Sequence, residues 1–162
     1  MKPVLTLLFA LFLATAAAAQ TDPGPVDPRA DPTAEAPLGL VTVDASEVTM
    51  AEHQWVNRIL AVFADTPNDP QFQQQMRLLQ DAYAGLEDRD VIVVVDTDPA
   101  ARSDPRQRLR PRGFSLVLVD KDGMVKQRKP SPWTSREIFH AIDRLPLRRQ
   151  EMLEERPGRA TN

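Results

Sequence analysis

The chain has 162 residues, 23 acidic against 20 basic, a formal net charge of −3, 15 prolines and no cysteine. Without a thiol it cannot perform disulfide exchange or cysteine-based peroxide reduction, and it offers no thiolate to a metal. The length suits one domain of ordinary size whose core is held by packing alone.

The N-terminus reads as an export signal. Met1-Lys2 supplies a positive start, Val4 to Ala19 is almost wholly apolar, and Ala17-Ala18-Ala19 offers the small-residue cleavage pattern, with Gln20 as the first mature residue. The alternative is a retained anchor, but the apolar run is shorter than the roughly 18 residues that suggest a spanning helix. No cysteine follows it, which excludes lipid anchoring through that residue. The expected location is periplasmic or secreted, with no membrane span after cleavage. Residues 20–38 carry Pro23, Pro25, Pro28, Pro32 and Pro37 among small and acidic residues. So little apolar surface cannot offset the entropy of ordering, and the stretch reads as a disordered linker or an ordinary N-terminal tail. The folded domain is expected over 39–155, with a disordered tail over 156–162.

Within that domain, Arg58 to Ala64 and Val91 to Asp96 are short, continuously apolar runs rich in β-branched residues. Such runs suit strands covered on both faces, as in parallel sheets. Between them Phe72, Met76, Leu79, Tyr83 and Leu86 recur at helical spacing. Asn68-Asp69-Pro70 precedes them as cap candidates followed by a first-turn proline. The pattern predicts a βαβ unit with a right-handed crossover. An arginine-rich crossover follows. Phe114 to Val119 and Met124 to Arg128 then flank Asp120-Lys121-Asp122-Gly123, whose Asp-Gly pair signals a hairpin. Thr134 and Glu137 have capping-box spacing before a helix over 135–145, which Pro146 kinks or ends; a polar surface helix is expected over 147–155.

This order, βαβ followed by a hairpin and a helix, is the core order of an α/β thioredoxin-like fold. Three separated motifs carry a closer likeness: Trp55-x-x-Arg58-Ile59-Leu60-Ala61-Val62-Phe63-Ala64, Leu118-Val119-Asp120-Lys121-Asp122-Gly123 with Lys126, and Ile142-Asp143-Arg144-Leu145-Pro146-Leu147-Arg148. Over about residues 45–152 the chain resembles the bacterial family called domain of unknown function 4174. That family is similar to the peroxiredoxin-like domain of vertebrate extracellular sushi-repeat and equarin-type proteins. The resemblance implies a thioredoxin-like fold and no established activity.

In such a fold the reactive position follows the first strand of the βαβ unit, where this chain reads Asp65-Thr66-Pro67-Asn68-Asp69-Pro70. Peroxiredoxins place Thr-x-x-Cys there, so Thr66 and Asp69 mark a degenerate active-site position. The other reading is a helix cap, which this residue pattern favours. Asp65, Asp69, Asp96 and Asp98 fall beyond strand ends, where open sheets bind ligands. They can serve a hard cation or make local turns. No nucleotide-binding or hydrolase motif appears, no cofactor is implied, and His53 and His140 form no ligand pair. Trp55 and Trp133 read as core or rim packing.

Charge is the remaining signal. Residues 20–100 carry 15 acidic and 4 basic residues, whereas 101–162 carry 8 acidic and 15 basic. The basic peak is Arg102, Arg106, Arg108, Arg110 and Arg112, opposed only by Asp104. Guanidinium forks suit phosphates and carboxylates. The segment is therefore expected to be exposed and to meet an anionic envelope component or an acidic protein. Lys121, Lys126, Arg128 and Lys129 extend the positive surface if the hairpin faces the same way. Internal pairing between the two halves is the competing reading, and nucleic acid does not suit an exported, net-acidic chain. The leading function is an exported non-catalytic binding or accessory domain. The alternatives are an enzyme using strand-end carboxylates and a structural envelope protein.

Overall fold

The computed structural model describes residues 42–155. The expected signal peptide over 1–19, the linker over 20–38 and the tail over 156–162 lie outside the described residues.

The elements run β1 (Thr42–Asp44), β2 (Arg58–Phe63), α1 (Pro70–Gln80), α2 (Tyr83–Glu87), β3 (Val91–Asp96), α3 (Asp104–Leu109), β4 (Ser115–Val119), β5 (Val125–Lys129), α4 (Ser135–Asp143) and α5 (Pro146–Glu154), with short 3-10 turns at Ala45–Glu47, Met50–His53 and Pro99–Ala101. The sheet order is β1-β3-β2-β4-β5. β1, β3 and β2 are parallel, while β4 runs antiparallel to β2 and β5 antiparallel to β4.

The continuous apolar runs are buried on both faces, as their lack of alternation predicts. Every residue of β2 and β4 is buried. Leu60, Val62, Val93, Leu116 and Leu118 face one layer, closed by Phe72, Leu79, Leu86, Ile138 and Ile142 from the helices. Ile59, Ala61, Phe63, Val94 and Val117 face the other, closed by Ala45, Val48 and Leu109. The edge strand β5 is half exposed and rich in Lys and Arg, which discourages edge-to-edge pairing.

Local signals explain the ends. Asp69 caps α1 by accepting from the Gln71 and Phe72 amides, with Pro70 in the first turn. The expected capping box of Thr134 and Glu137 makes both reciprocal bonds. Gly123 takes a left-handed φ of 78° at the hairpin reversal, and its amide donates to the Asp120 carbonyl.

Three expectations need correction, and one, the helix end at Pro146, holds and is extended. The single helix predicted across 72–86 is two helices. The Ala82 amide reaches back to the Leu79 carbonyl and tightens the chain into a turn, although Phe72, Leu79 and Leu86 still share one buried face. Pro146 does not merely end α4 but opens α5, filling a first-turn position that needs no amide donor. A strand, β1, precedes the βαβ unit. The arginine-rich crossover is not a plain loop, since it contains α3, capped by Ser103 with Pro105 in the first turn.

A candidate anion-binding edge

The degenerate active-site position is filled by the helix cap that its residue pattern favours. Asp69 sits at the N-terminus of α1, and its Oδ1 accepts from Gln71 N at 2.8 Å and Phe72 N at 3.1 Å. These amides are the donors that would otherwise stabilise an anion there. Thr66 is exposed and its carbonyl accepts from the Asp69 amide at 3.2 Å. A capped carboxylate can hold the helix end; it has no sulfur with which to attack a peroxide.

The strand-end carboxylates do not gather into one cation site: Asp65 and Asp96 both meet Arg106, at 3.9 and 2.7 Å, while Asp69 and Asp98 cap separate turns. Asp98 caps the turn Pro99–Ala101 by accepting from the Ala100 amide. Asp65 points largely to solvent, with its side chain 63% exposed. Asp96 is buried at the end of β3 and held by three partners, the Asp98 amide at 3.3 Å among them. Ser103 Oγ donates to its Oδ2 at 2.6 Å, and Arg106 Nη2 lies 2.7 Å from its Oδ1. Among the described residues no group of three Asp, Glu or His side chains is placed to hold a metal ion.

Arg106 therefore departs from the expectation of an exposed arginine run. Its side chain is only 12% exposed. It also donates to the Ala64 carbonyl at 2.8 Å and lies over the Phe63 ring, 5.6 Å from the centroid. The guanidinium ties the end of β2 to the end of β3, so it is part of the frame. Arg108 is exposed and paired with Asp104, four residues earlier, at 2.8 Å. Asp104 also accepts from the Met50 amide. Burial alone would raise its carboxyl, but this bond and Arg108 outweigh it and hold the pKa below its ordinary value.

Arg102, Arg110 and Arg112 are exposed, and among the described residues their side chains make no ion pair. Arg110 and Arg112 line a cleft of about 570 Å³ together with Leu109, Phe114, Ser115, Arg128 and Pro130. Arg102 is not among these lining residues. Arg110 forms the left-handed C-cap of α3, and Gly113, also left-handed, turns the chain into β4. Ser115 pairs with Phe63 in the sheet register, so the cleft lies at the end of β2 from which Asp65 departs.

The hairpin's basic residues divide. Arg128 joins the cleft and donates to the Leu109 carbonyl at 2.8 Å. Lys121 pairs with Asp90 and Glu151, and Lys126 pairs with Asp122. Lys129 lies over the Trp133 ring, 4.5 Å from its centroid. Trp133 packs against the core as expected. Trp55 does not: it is 66% exposed and adopts a left-handed φ of 66°.

The three sequence motifs meet elsewhere, at the opposite end of the sheet. Arg58 is fully buried, its Nε 2.9 Å from Asp120 Oδ1, and its Nη1 and Nη2 donate to Glu151 on α5. Arg148 also contacts Glu151, at 3.4 Å. These residues brace the fold.

A family profile described as a domain of unknown function, DUF4174, matches residues 49–151. The chain belongs to that family. Sushi repeat-containing protein SRPX of Rattus norvegicus is 34% identical over 113 residues, covering 59% of this chain and 24% of that protein. Sushi repeat-containing protein SRPX2 of Homo sapiens is 28% identical over 136 residues, covering 74% of this chain and 29% of that protein. The DUF4174 chain thus matches only about a quarter of the length of these relatives. In structure it is similar to the reduced 2-Cys peroxiredoxin of Plasmodium vivax, with a TM-score of 0.52 at 13% identity over 65% of this chain and 85% of that one. The fold is thioredoxin-like. No helix among the described residues is long and apolar enough to cross a membrane.

Proposed function

We propose that this DUF4174 chain is an exported, non-catalytic binding domain that recognises an anionic envelope component or an acidic protein through the edge bearing Arg110, Arg112 and Arg128. The observation that carries the reading is a contrast at one end of the sheet. The α1 amides are capped by Asp69, and Asp96 is neutralised by Arg106, whereas the adjoining cleft is lined by three arginines and, among the described residues, no carboxylate. A site of uncompensated charge has binding energy to offer a partner of opposite sign. The apolar stretch from Val4 and the small residues before Gln20 support export.

The alternative enzyme reading loses support because Asp69, Asp96 and Asp98 are each engaged in holding local structure. The test is affinity purification from the native envelope fraction with wild type and with a variant carrying Arg110→Gln, Arg112→Gln and Arg128→Gln. Expected is a partner retained by wild type, weakened by salt and lost from the folded variant. Equal recovery on both would overturn the reading. Intact mass of the native protein tests export separately: processing after Ala19 is expected, and a full-length cytosolic product would refute it.

A further inference from the structure

We infer that the cleft formed by Arg110, Arg112 and Arg128 is a phosphomonoester site, which rests on the binding reading above and names the ligand chemistry.

The first support is the local failure of charge compensation. At this end of the sheet basic side chains are matched: Arg106 with Asp96 and, at 3.9 Å, Asp65, and Arg108 with Asp104. Arg110 and Arg112 have no such partner among the described residues, although they line the same hollow. Arg128 uses Nη2 to bond the Leu109 carbonyl, which holds its head at the cleft and leaves further donors. Three like charges gathered around one cleft repel one another, and a ligand that relieves this gains more if it carries more than one charge. A carboxylate brings one. A phosphomonoester brings about −1.5 to −2 near neutral pH and three acceptor oxygens, which suit several planar donor forks.

The second support is shape. The cleft of about 570 Å³ is far larger than a bare phosphate needs and falls within the roughly 300–1,000 Å³ range of small-ligand sites. Leu109, Phe114 and Pro130 give it an apolar side on which an organic body can rest. The phosphate can belong to a soluble ester or to a lipid headgroup.

Phenyl phosphate is the soluble probe, titrated calorimetrically into the mature domain at fixed ionic strength beside phenylacetate. Vesicles with and without phosphatidic acid form the second arm. Phenyl phosphate is expected to bind at least ten-fold more tightly than phenylacetate. The Arg110→Gln, Arg112→Gln, Arg128→Gln variant should lose that preference. Arg128 also supports a backbone carbonyl, so Arg112→Gln alone serves as the second variant; it should weaken phenyl phosphate at least five-fold with an unchanged circular dichroism spectrum. Arg149→Gln, which removes an exposed charge on α5, should leave binding within two-fold. Added binding to phosphatidic acid vesicles identifies a headgroup as the source; soluble binding without it identifies a small ester. Equal affinity for phenylacetate, unchanged binding by Arg112→Gln, or vesicle binding without phenyl phosphate binding would each overturn the site. A domain that takes no phenyl phosphate but still loses its envelope partner in the triple variant overturns this inference and leaves the binding reading standing.

Discussion

Arg106 Nη2 lies 2.7 Å from Asp96 Oδ1, with both side chains nearly buried, and this pair makes one member of the arginine run a structural brace. The same guanidinium bonds the Ala64 and Asp96 carbonyls at the ends of two strands. Removing it leaves a buried carboxylate held only by Ser103 and the Asp98 amide, together with strand-end carbonyls that lose a donor. Arg106→Gln is therefore expected to destabilise the domain by about 3 kcal/mol, the low end for breaking a buried ion pair. Arg112→Gln, whose exposed side chain makes no ion pair among the described residues, is expected to stay within about 0.5 kcal/mol. Urea denaturation of both variants checks the contrast, and equal midpoints would refute it.

Arg58 and Asp120 form the corresponding brace at the other end of the sheet. The Arg58 Nε sits at bonding distance from Asp120 Oδ1, but the bond is not aligned, and among the described residues Asp120 Oδ2 has no hydrogen-bond partner. The contact acts mainly as a buried charge pair. Asp120→Ala is expected to cost about 3 kcal/mol, the low end for breaking a buried ion pair, because it removes the carboxylate facing Nε of a fully buried guanidinium that keeps Glu151 and the Arg89 carbonyl. Thermal unfolding should show the loss, and a variant as stable as wild type would remove Asp120 from the frame.

What the sequence makes legible follows from locality. β2, β3 and β4 announce themselves because a strand covered on both faces needs no polar alternation, and the hairpin and α4 because Asp122-Gly123 and Thr134 with Glu137 act within a few residues. β1 has three residues and no periodicity, so nothing local marks it. α3 did carry a signal: Ser103 followed by Pro105 repeats the cap-and-proline grammar of Asp69-Pro70, masked by the surrounding charge. Division of the arginines is invisible in sequence because it depends on which of them the fold carries to Asp96. Arg128's place in the cleft likewise depends on the direction of the hairpin. Pairs such as Lys121 with Asp90 and Arg106 with Asp96 join the acidic half to the basic half, so internal pairing absorbs part of the charge asymmetry.

Gly85 records a close approach between two helices. A Cβ at this position would stand 2.5 Å from Phe139 Cζ and 2.8 Å from its Cε2. Phe139 cannot retreat freely, since it packs against the core and carries the Arg89 guanidinium 4.5 Å from its ring centroid. Alanine normally favours a helix over glycine by about 1 kcal/mol. Here the steric cost is expected to reverse that sign, with Gly85→Ala destabilising by about 1–3 kcal/mol, the usual range for overpacking. A urea midpoint that rises instead would show that Phe139 yields.

The attachment of α5 gives the fold an acid-sensitive clasp. Burial alone would raise the Glu151 carboxyl, but hydrogen bonds from Arg58 and Lys121 outweigh it and hold the pKa below the ordinary value. A carboxyl depressed in the folded state contributes stability above its unfolded pKa of about 4.3 and loses it as pH falls through the folded value. Lys121 has the opposite sense. Burial would lower it, but bonds to Asp90 and Glu151 raise it, so its contribution holds below its unfolded pKa of about 10.4 and fades as pH rises through the folded value. The clasp is thus strongest between these limits. Asp104 and Asp122, also held low by their partners, add to the acid limb. Glu151→Gln keeps the shape of the side chain and removes its charge. It should destabilise the domain near pH 7, and the gap to wild type should close as pH falls from about 5 towards 3. Urea midpoints measured across that interval test the assignment: parallel profiles for the two proteins would mean that the Glu151 carboxylate does not carry the clasp.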